Sequence, residues 1–587
     1  MTARSLLKLG LPGLLAVASC SDDPVRPPGS TAPDTPYEIT LEQFAGRIEF
    51  ISGGEGNEFL TGYWRMVIRS DGDRWFVCEL PDSLRNVYGA WFTAGGSFVV
   101  HDYYDAYRFD GRAWHAFPLP VSRRSMCALP TGEIFVGTWD GRMHRYDGNA
   151  WEVDSLPATM LANAVHASSG DDAFAVGRYG ALAHYDGVAW NLVSLDSSLD
   201  YWMVWSGEKN RAYVLGDFGS VSEYANGNLT PLSLPPSFRT LLIWGSSHGV
   251  YLGGRDDMWD YAVLRREGSG WSSTHVGGGD IRDGWTSPGG DIFTVAHDGL
   301  WRTRGGASER MLGTDDFGND DIYAFWWSER DGLFAAGERA YRFDGTNWIS
   351  LRKEDVTERT AVAIHGTDGD NLYAVGSGMI LRYDGATWDW MSSGFNSGVY
   401  DVWASSGETL AVGSSGMIAR LAGDTWVRMN SPSAATLRGV AGWDGGAVAV
   451  GDNGTILRFD GSEWRAEESP VSWTIKDVVA FGPDRMVAVG DGPGSLLVHD
   501  RGRWSIRPVD TYVPGPYYDS EIRSVWGKSP TDLFVGQSAG HVHHFDGRTW
   551  TPLPRVLAGG LSAGVSAPDG DVFVAAGQAV IRYHRPR

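Results

Sequence analysis

The chain has 587 residues, of which 42% are hydrophobic, 12% aromatic and 21% charged, shares that exclude wholesale disorder. Its 49 Lys+Arg against 72 Asp+Glu give a formal charge of −23. This argues against a nucleic-acid binder, which needs a basic face for phosphates, and against a body lying flat on anionic lipid. Three cysteines exclude a disulfide scaffold, while 78 glycines beside 27 tryptophans point to many tight turns between packed strands.

Residues 1–20 read as a secretion signal. Arg4 and Lys8 form a basic start, and Leu9 to Ala16 is apolar apart from Gly10, Pro12 and Gly13. That run is too short to cross about 30 Å of hydrocarbon as a helix. It ends in Val17-Ala18-Ser19-Cys20, which resembles the bacterial lipobox. The resemblance implies cleavage before Cys20, thioether lipidation of its sulfur (palmitate-type acyl chains) and a membrane anchor for an otherwise soluble body. Cleavage would take the charge to −25. Ser21, rather than aspartate, follows the cysteine and points to the outer membrane of a Gram-negative cell. Residues 21–36 contain five prolines and read as an extended tether.

From residue 37 a repeat takes over. An aromatic, Asp-Gly, two variable residues and Trp recur, as in Tyr107-Arg-Phe-Asp-Gly-Arg-Ala-Trp114 and again ending at Trp151, Trp190, Trp348, Trp388, Trp464 and Trp550. Weaker copies end at Trp75, Leu229, Trp271, Trp426 and Trp504, and the spacing stays near 40 residues. Each copy follows an apolar run, a turn and a second apolar run ending in Gly, as in residues 440–454. Four short strands per period of about 40 residues is the signature of a β-propeller blade. One such sheet buries little alone and must stack on neighbours. Asp-Gly makes the tight hairpin turn, and the Trp that opens the next strand wedges between sheets.

Fourteen units, the last truncated, predict an all-β chain of two tandem β-propellers of about seven four-stranded blades each, with six plus eight as the alternative. The acidic stretch 314–321 supplies a seam. The expected division is 37–317 for the first propeller and 318–587 for the second. The final unit lacks an outer strand, and Glu38–Phe44 is a candidate to complete one of the rings.

The repeated phrase resembles the Kelch repeat, the Asp-box of sialidase-type propellers and, more loosely, WD-type repeats. Only Gly253-Gly254 reproduces the Kelch Gly-Gly pair, and Ser70-Asp71-Gly72…Trp75 comes nearest to the Asp-box. Residues 37–587 as a whole resemble tandem-propeller lipoproteins of bacterial surfaces, an architecture that hosts many functions.

Residues repeated in every blade are turn formers or strand partners rather than catalysts, since a catalytic residue is needed once. This covers Asp110, Asp147, Asp186, Asp344, Asp384, Asp460 and Asp546, and the arginines before them. His543 and His544, being adjacent, point to opposite faces of a strand and make a poor metal pair. No metal or cofactor is expected, with Ca²⁺ in Asp-rich turns such as Asp368–Asn371 or Asp452–Gly454 as the alternative. Cys78 and Cys127 fall in different strands of different blades, against a disulfide.

Binding is expected on loops that break the repeat. Tyr512, Tyr517 and Tyr518 occupy the longest interval, with Tyr103, Tyr104 and Trp259 in two further irregular loops. The reading is a non-catalytic, lipid-anchored envelope scaffold, surface or periplasmic. It engages protein or polysaccharide through one ring face or the cleft between rings, and touches the membrane only through its anchor. A propeller-fold glycan hydrolase or lyase is the alternative, and its mark would be a non-repeating cluster of titratable residues at a channel mouth.

Overall fold

The computed structural model describes residues 15–17, 38–44 and most of 50–585; short segments, chief among them 54–58, 71–74, 314–321, 352–359, 392–397 and 512–520, are outside it. The described strands form fourteen antiparallel sheets, thirteen of four strands and one of five. Helical structure among the described residues is limited to short 3-10 turns, such as Asp217–Gly219, Ser414–Gly416 and Asp452–Gly454. The protein is all-β and its architecture is that of tandem β-propellers.

The chain divides into two compact units, one containing Arg47–Gly313 and the other Thr314–Arg587 together with Pro28–Gly46. Seven of the sheets fall in each. Within each four-stranded sheet the strands follow chain order. The second strand is buried on both faces; Asp172–Gly177 and Gly446–Gly451 are buried at every position. Such a strand needs a covering layer on either side. The cover comes from the next sheet: Phe334 and Ala336 pack with Leu372, Tyr383 and Trp388 of the following one.

In the C-terminal unit the first strands of successive sheets run side by side and the series closes on itself. In the C-terminal unit Ile322–Ser328 lies beside Leu561–Ser566, and Ser562 Oγ donates to the Ile322 carbonyl at 2.6 Å. The same junction buries Ile322, Leu333 and Trp348 against Phe573 and Val580. In the N-terminal unit Asp283–Thr286 closes on Phe50–Gly53.

Glu38–Phe44 supplies the missing outer strand. It pairs antiparallel with Ala579–His584, from Glu38 opposite His584 to Phe44 opposite Ala579. The strand therefore belongs to the C-terminal unit, although it opens the stretch that the sequence assigns to the first propeller. Leu15–Val17, within the segment read as a signal, pairs with it as the fifth strand.

The repeated phrase acts as expected. Asp147 Oδ1 accepts the N–H groups of Asn149 and Ala150, both at 2.8 Å, and Gly148 takes φ +99°, which a side chain would resist. The tryptophan then packs on the aromatic before the turn: ring centroids are 5.3 Å apart for Tyr146–Trp151, 5.2 Å for Tyr383–Trp388 and 5.1 Å for Phe545–Trp550.

Deleting residues 38–44 is expected to lower the melting temperature of the C-terminal unit by on the order of 5–10 °C and leave the other unit's transition in place. Differential scanning calorimetry checks this; an unchanged trace contradicts the closure.

Candidate functional site

The charges that recur from blade to blade are consumed by the scaffold. Asp186, Asp384, Asp460 and Asp546 each accept N–H groups two and three residues ahead, which holds their carboxyls below the usual range. Asp110 accepts from Ala113, and Asp344 is outside the described residues. Of the arginines, Arg145 pairs with Glu152 and Arg582 with Asp571. His184 and His544 occupy one repeat position. Each bonds an aspartate at 2.7 Å (Asp172, Asp532) and stacks at 4.3 Å on a phenylalanine (Phe174, Phe534). His543 faces away from that set, toward Gln537 and Thr511. Cys78 and Cys127 are both buried.

Three acids the sequence reading passed over lie on first strands: Asp283, Asp401 and Asp477. All three stand opposite the valine next to the end of the second strand. Asp401 accepts its neighbour Val402 N–H at 2.8 Å and, from the next sheet, Val440 N–H at 2.7 Å. Asp477 does the same with Val478 and Val525, and Asp283 with Gly284 and Ile51. Each carboxyl thus ties one first strand to the next. Burial raises their pKa values, to about 8 for Asp401, where the Asp477 charge adds, and to about 6 for Asp477 and Asp283. All remain partly exposed, so they exchange protons with solvent. Their signal in the sequence was an aspartate inside an apolar run, as in residues 399–403 and 475–479.

Residues that differ between blades collect at one edge. In an antiparallel four-stranded sheet the start of the first strand and the turn between the second and third lie at the same end. Near the start of most first strands a bulge sets one residue out of register. Bulges re-aim side chains. In the C-terminal unit the residues so placed include Tyr323, Tyr400, Arg438, Lys476 and Arg523; in the N-terminal unit they include Arg124, Asn163 and Trp202. Acids of the adjacent loops orient them. Arg438 pairs with Asp452, Lys476 with Asp491 and Glu521, and Trp202 Nε1 donates to Asp217 at 2.7 Å.

The turns at this edge differ sharply between units. Tyr179 and Phe218 sit at φ +59° and +58°, a left-handed conformation that bulky residues resist, and are 64% and 96% exposed. Their counterparts in the C-terminal unit are Ser415 and Asn453, at φ +55° and +58°. Trp139, one position earlier in its own turn, is 57% exposed.

The sequence-predicted binding residues Tyr103, Tyr104, Trp259, Tyr512, Tyr517 and Tyr518, and the lipidation residue Cys20, lie outside the described residues. In chain order the first three fall between second and third strands, and the others between a fourth strand and the next first strand. Among the described residues one group brings three possible metal ligands together: Asp256, Asp260 and His275, within 4.8 Å of one another. The Asp256 carboxylate already accepts the N–H groups of Met258 and Asp260. Of the Asp-rich turns considered for Ca²⁺, Asp452 is taken up by Arg438 and Asp368 accepts the Asp370 N–H.

No family model matches the chain, and no curated protein matches it. Solved structures do. PorZ, described as an essential surface component of the type-IX secretion system of Porphyromonas gingivalis, is similar with a TM-score of 0.61 at 12% identity, over 93% of this chain and 86% of PorZ. The extracellular domain of BT4673, a putative one-component system of B. thetaiotaomicron, aligns over 92% of this chain and 82% of its own at 11% identity, with a TM-score of 0.38. YCF48 from Cyanidioschyzon merolae aligns over 46% of this chain and 97% of its own at 17% identity, with a TM-score of 0.38. At these identities the similarity to PorZ is one of fold.

Asp401 keeps its proton in the folded state at pH values where the unfolded chain, with a carboxyl near 3.8, has lost it. The stability it adds is complete below about 3.8 and is lost as pH rises toward about 8. Asp401→Asn is therefore expected to flatten the decline in stability of the C-terminal unit across that window. Urea unfolding at stepped pH checks it; a wild-type slope in the variant contradicts it.

Proposed function

We propose that the protein is a non-catalytic binding scaffold of the bacterial cell envelope, held to a membrane, the outer one in a Gram-negative cell, by lipid on Cys20. It engages a protein or polysaccharide through loops on one face of a ring. The observation that carries this reading is the segregation of side chains. Repeated charges are spent on turns and strand ties, whereas the bulged and turn-tip residues of one edge vary from blade to blade and are half-buried or exposed. The similarity in fold to PorZ, a bacterial surface component, supports an envelope address, as does the segment that ends in Cys20. Cleavage before Cys20 would remove Leu15–Val17 and leave four strands in the closing sheet.

A second reading, a glycan hydrolase or lyase, is favoured by one observation. Asp401 and Asp477, with raised pKa values, follow Tyr400 and Lys476 directly in the chain. Against it, both carboxyls are occupied by backbone N–H groups, and Asp283 repeats the arrangement in the other unit.

The body from residue 37 onward, assayed on glycan and protein arrays and for glycan cleavage, separates the two. Saturable binding without cleavage is expected. Cleavage that Asp401→Asn abolishes would establish the enzyme. In cells, Cys20→Ala is expected to move the protein from the membrane to the soluble fraction; continued membrane retention contradicts the anchor.

A further inference from the structure

The turn Asp256–Asp260 joins the second and third strands, Gly249–Arg255 and Tyr261–Glu267, of one sheet in the N-terminal unit. The Asp256 N–H donates to the Asp260 carbonyl at 3.0 Å, which fixes the two acids at the two ends of the turn. The fourth strand of the sheet, Gly270–His275, stops with His275 opposite Ala262. The ladder therefore delivers an imidazole to the acids. Ligand atoms of Asp256, Asp260 and His275 all lie within 4.8 Å of one another, and His275 Nδ1 is 3.9 Å from Asp256 Oδ2. The turn itself uses the other oxygen: Asp256 Oδ1 accepts the Met258 and Asp260 N–H groups at 2.9 and 3.0 Å. Arg255, the adjoining cation, donates to the Tyr261 hydroxyl and pairs with Asp280 at 3.6 Å.

We propose that Asp256, Asp260 and His275 bind a divalent transition metal of the zinc class. Zinc takes imidazole nitrogen and carboxylate oxygen at about 2.0–2.2 Å, so its ligand atoms stand about 3.4 Å apart in a tetrahedron. The 3.9 Å between His275 Nδ1 and Asp256 Oδ2 is too long for a hydrogen bond, and it closes to that spacing by a small side-chain movement. Asp260 and His275 are exposed, so such a movement displaces no core. The two carboxylates repel each other, and a cation among them is attracted by both. The donor set selects the class: calcium wants a shell of oxygens, whereas an imidazole beside carboxylates suits zinc and its first-row neighbours. The histidine is what this sheet adds to an ordinary turn. In another sheet Asp102 Oδ1 accepts the Asp105 N–H at 2.6 Å across a turn with the same pair of acids, but the fourth strand there ends in Ala116. Scaffold residues recur from blade to blade; a ligand set is needed once. A metal here would fix the turn that carries Met258 and Trp259, and three protein ligands leave a coordination position open to water or to a donor from a partner.

The test uses the full chain, purified without a histidine tag and stripped with EDTA. Calorimetric titration with zinc chloride at neutral pH is expected to show one site per chain, with no comparable binding of calcium or magnesium. His275→Ala and Asp260→Asn are each expected to weaken zinc binding at least about tenfold, since loss of even a partner outside the ligand shell costs a metal site about that much. Both side chains are exposed, so the melting temperature without metal is expected to hold, while the rise that zinc gives the wild type is lost. The proposal is overturned if zinc does not bind, if either variant binds it as the wild type does, or if calcium binds as tightly as zinc. None of these outcomes alters what the glycan and protein arrays report, so the metal site and the scaffold reading fail separately.

Discussion

A sheet of four short strands whose second strand is apolar on both sides cannot stand alone. At about 25 cal/mol per Å² of apolar surface, the gain comes only when another sheet covers each face. A row of such sheets always leaves two bare ends, and bending the row until the ends meet is the solution that abolishes them. Everything else in this protein follows from meeting that condition in each unit. The tryptophan that opens the fourth strand fills the gap between sheets, the Asp-Gly turn before it lets the strand reverse, and Asp283, Asp401 and Asp477 tie first strands that share no ladder.

Closure also explains where function has room. A residue in the second strand is fixed by two neighbouring sheets, and one in the Asp-Gly turn by its backbone geometry. The bulged residue of each first strand and the tip of the turn beside it carry neither burden. They vary accordingly: tyrosines, arginines and a lysine around the C-terminal unit, aromatics around the N-terminal one. Carboxylates then hold the long side chains in place, Asp452 by an ion pair to Arg438 and Asp217 by accepting the Trp202 Nε1 hydrogen bond. The three strand-tying acids serve the opposite end of this division. Their raised pKa values resemble those of catalytic carboxyls, but their hydrogen bonds are those of a clasp.

The architecture was legible because its causes are local and repeated. A tight turn needs Asp-Gly, a wedge needs Trp, and both recur at nearly constant spacing, so strand number and sheet order follow from Tyr107–Trp114 and its copies. The role of the repeated aspartates was legible for the same reason. What periodicity could not supply was which ring Glu38–Phe44 completes, because that pairing joins the two ends of the chain and leaves no local trace. Nor did it disclose the inter-strand ties. Asp401 and Asp477 look like isolated acids in apolar runs until the neighbouring N–H groups are placed. The exposed aromatics were missed because Trp139, Tyr179 and Phe218 lie in short turns of ordinary length. Attention to loop length selected Tyr512, Tyr517 and Tyr518, which lie outside the described residues; the signal for Tyr179 and Phe218 is an aromatic before Gly in a turn that elsewhere holds Ser or Asn.

The claim on which the account rests is that the C-terminal ring is shut, with the first strand of the body sewn to the last. Residues directly opposite in an antiparallel pair have Cα atoms about 4.5–5.5 Å apart, within reach of a disulfide. Thr40 and Arg582 are such a pair. With Cys20, Cys78 and Cys127 replaced, the Thr40→Cys, Arg582→Cys chain oxidised under mild conditions should yield one intramolecular cross-link joining the N- and C-terminal peptides in a mass-spectrometric map. Failure to form it in folded protein, with both thiols free to alkylation, would contradict the closed ring.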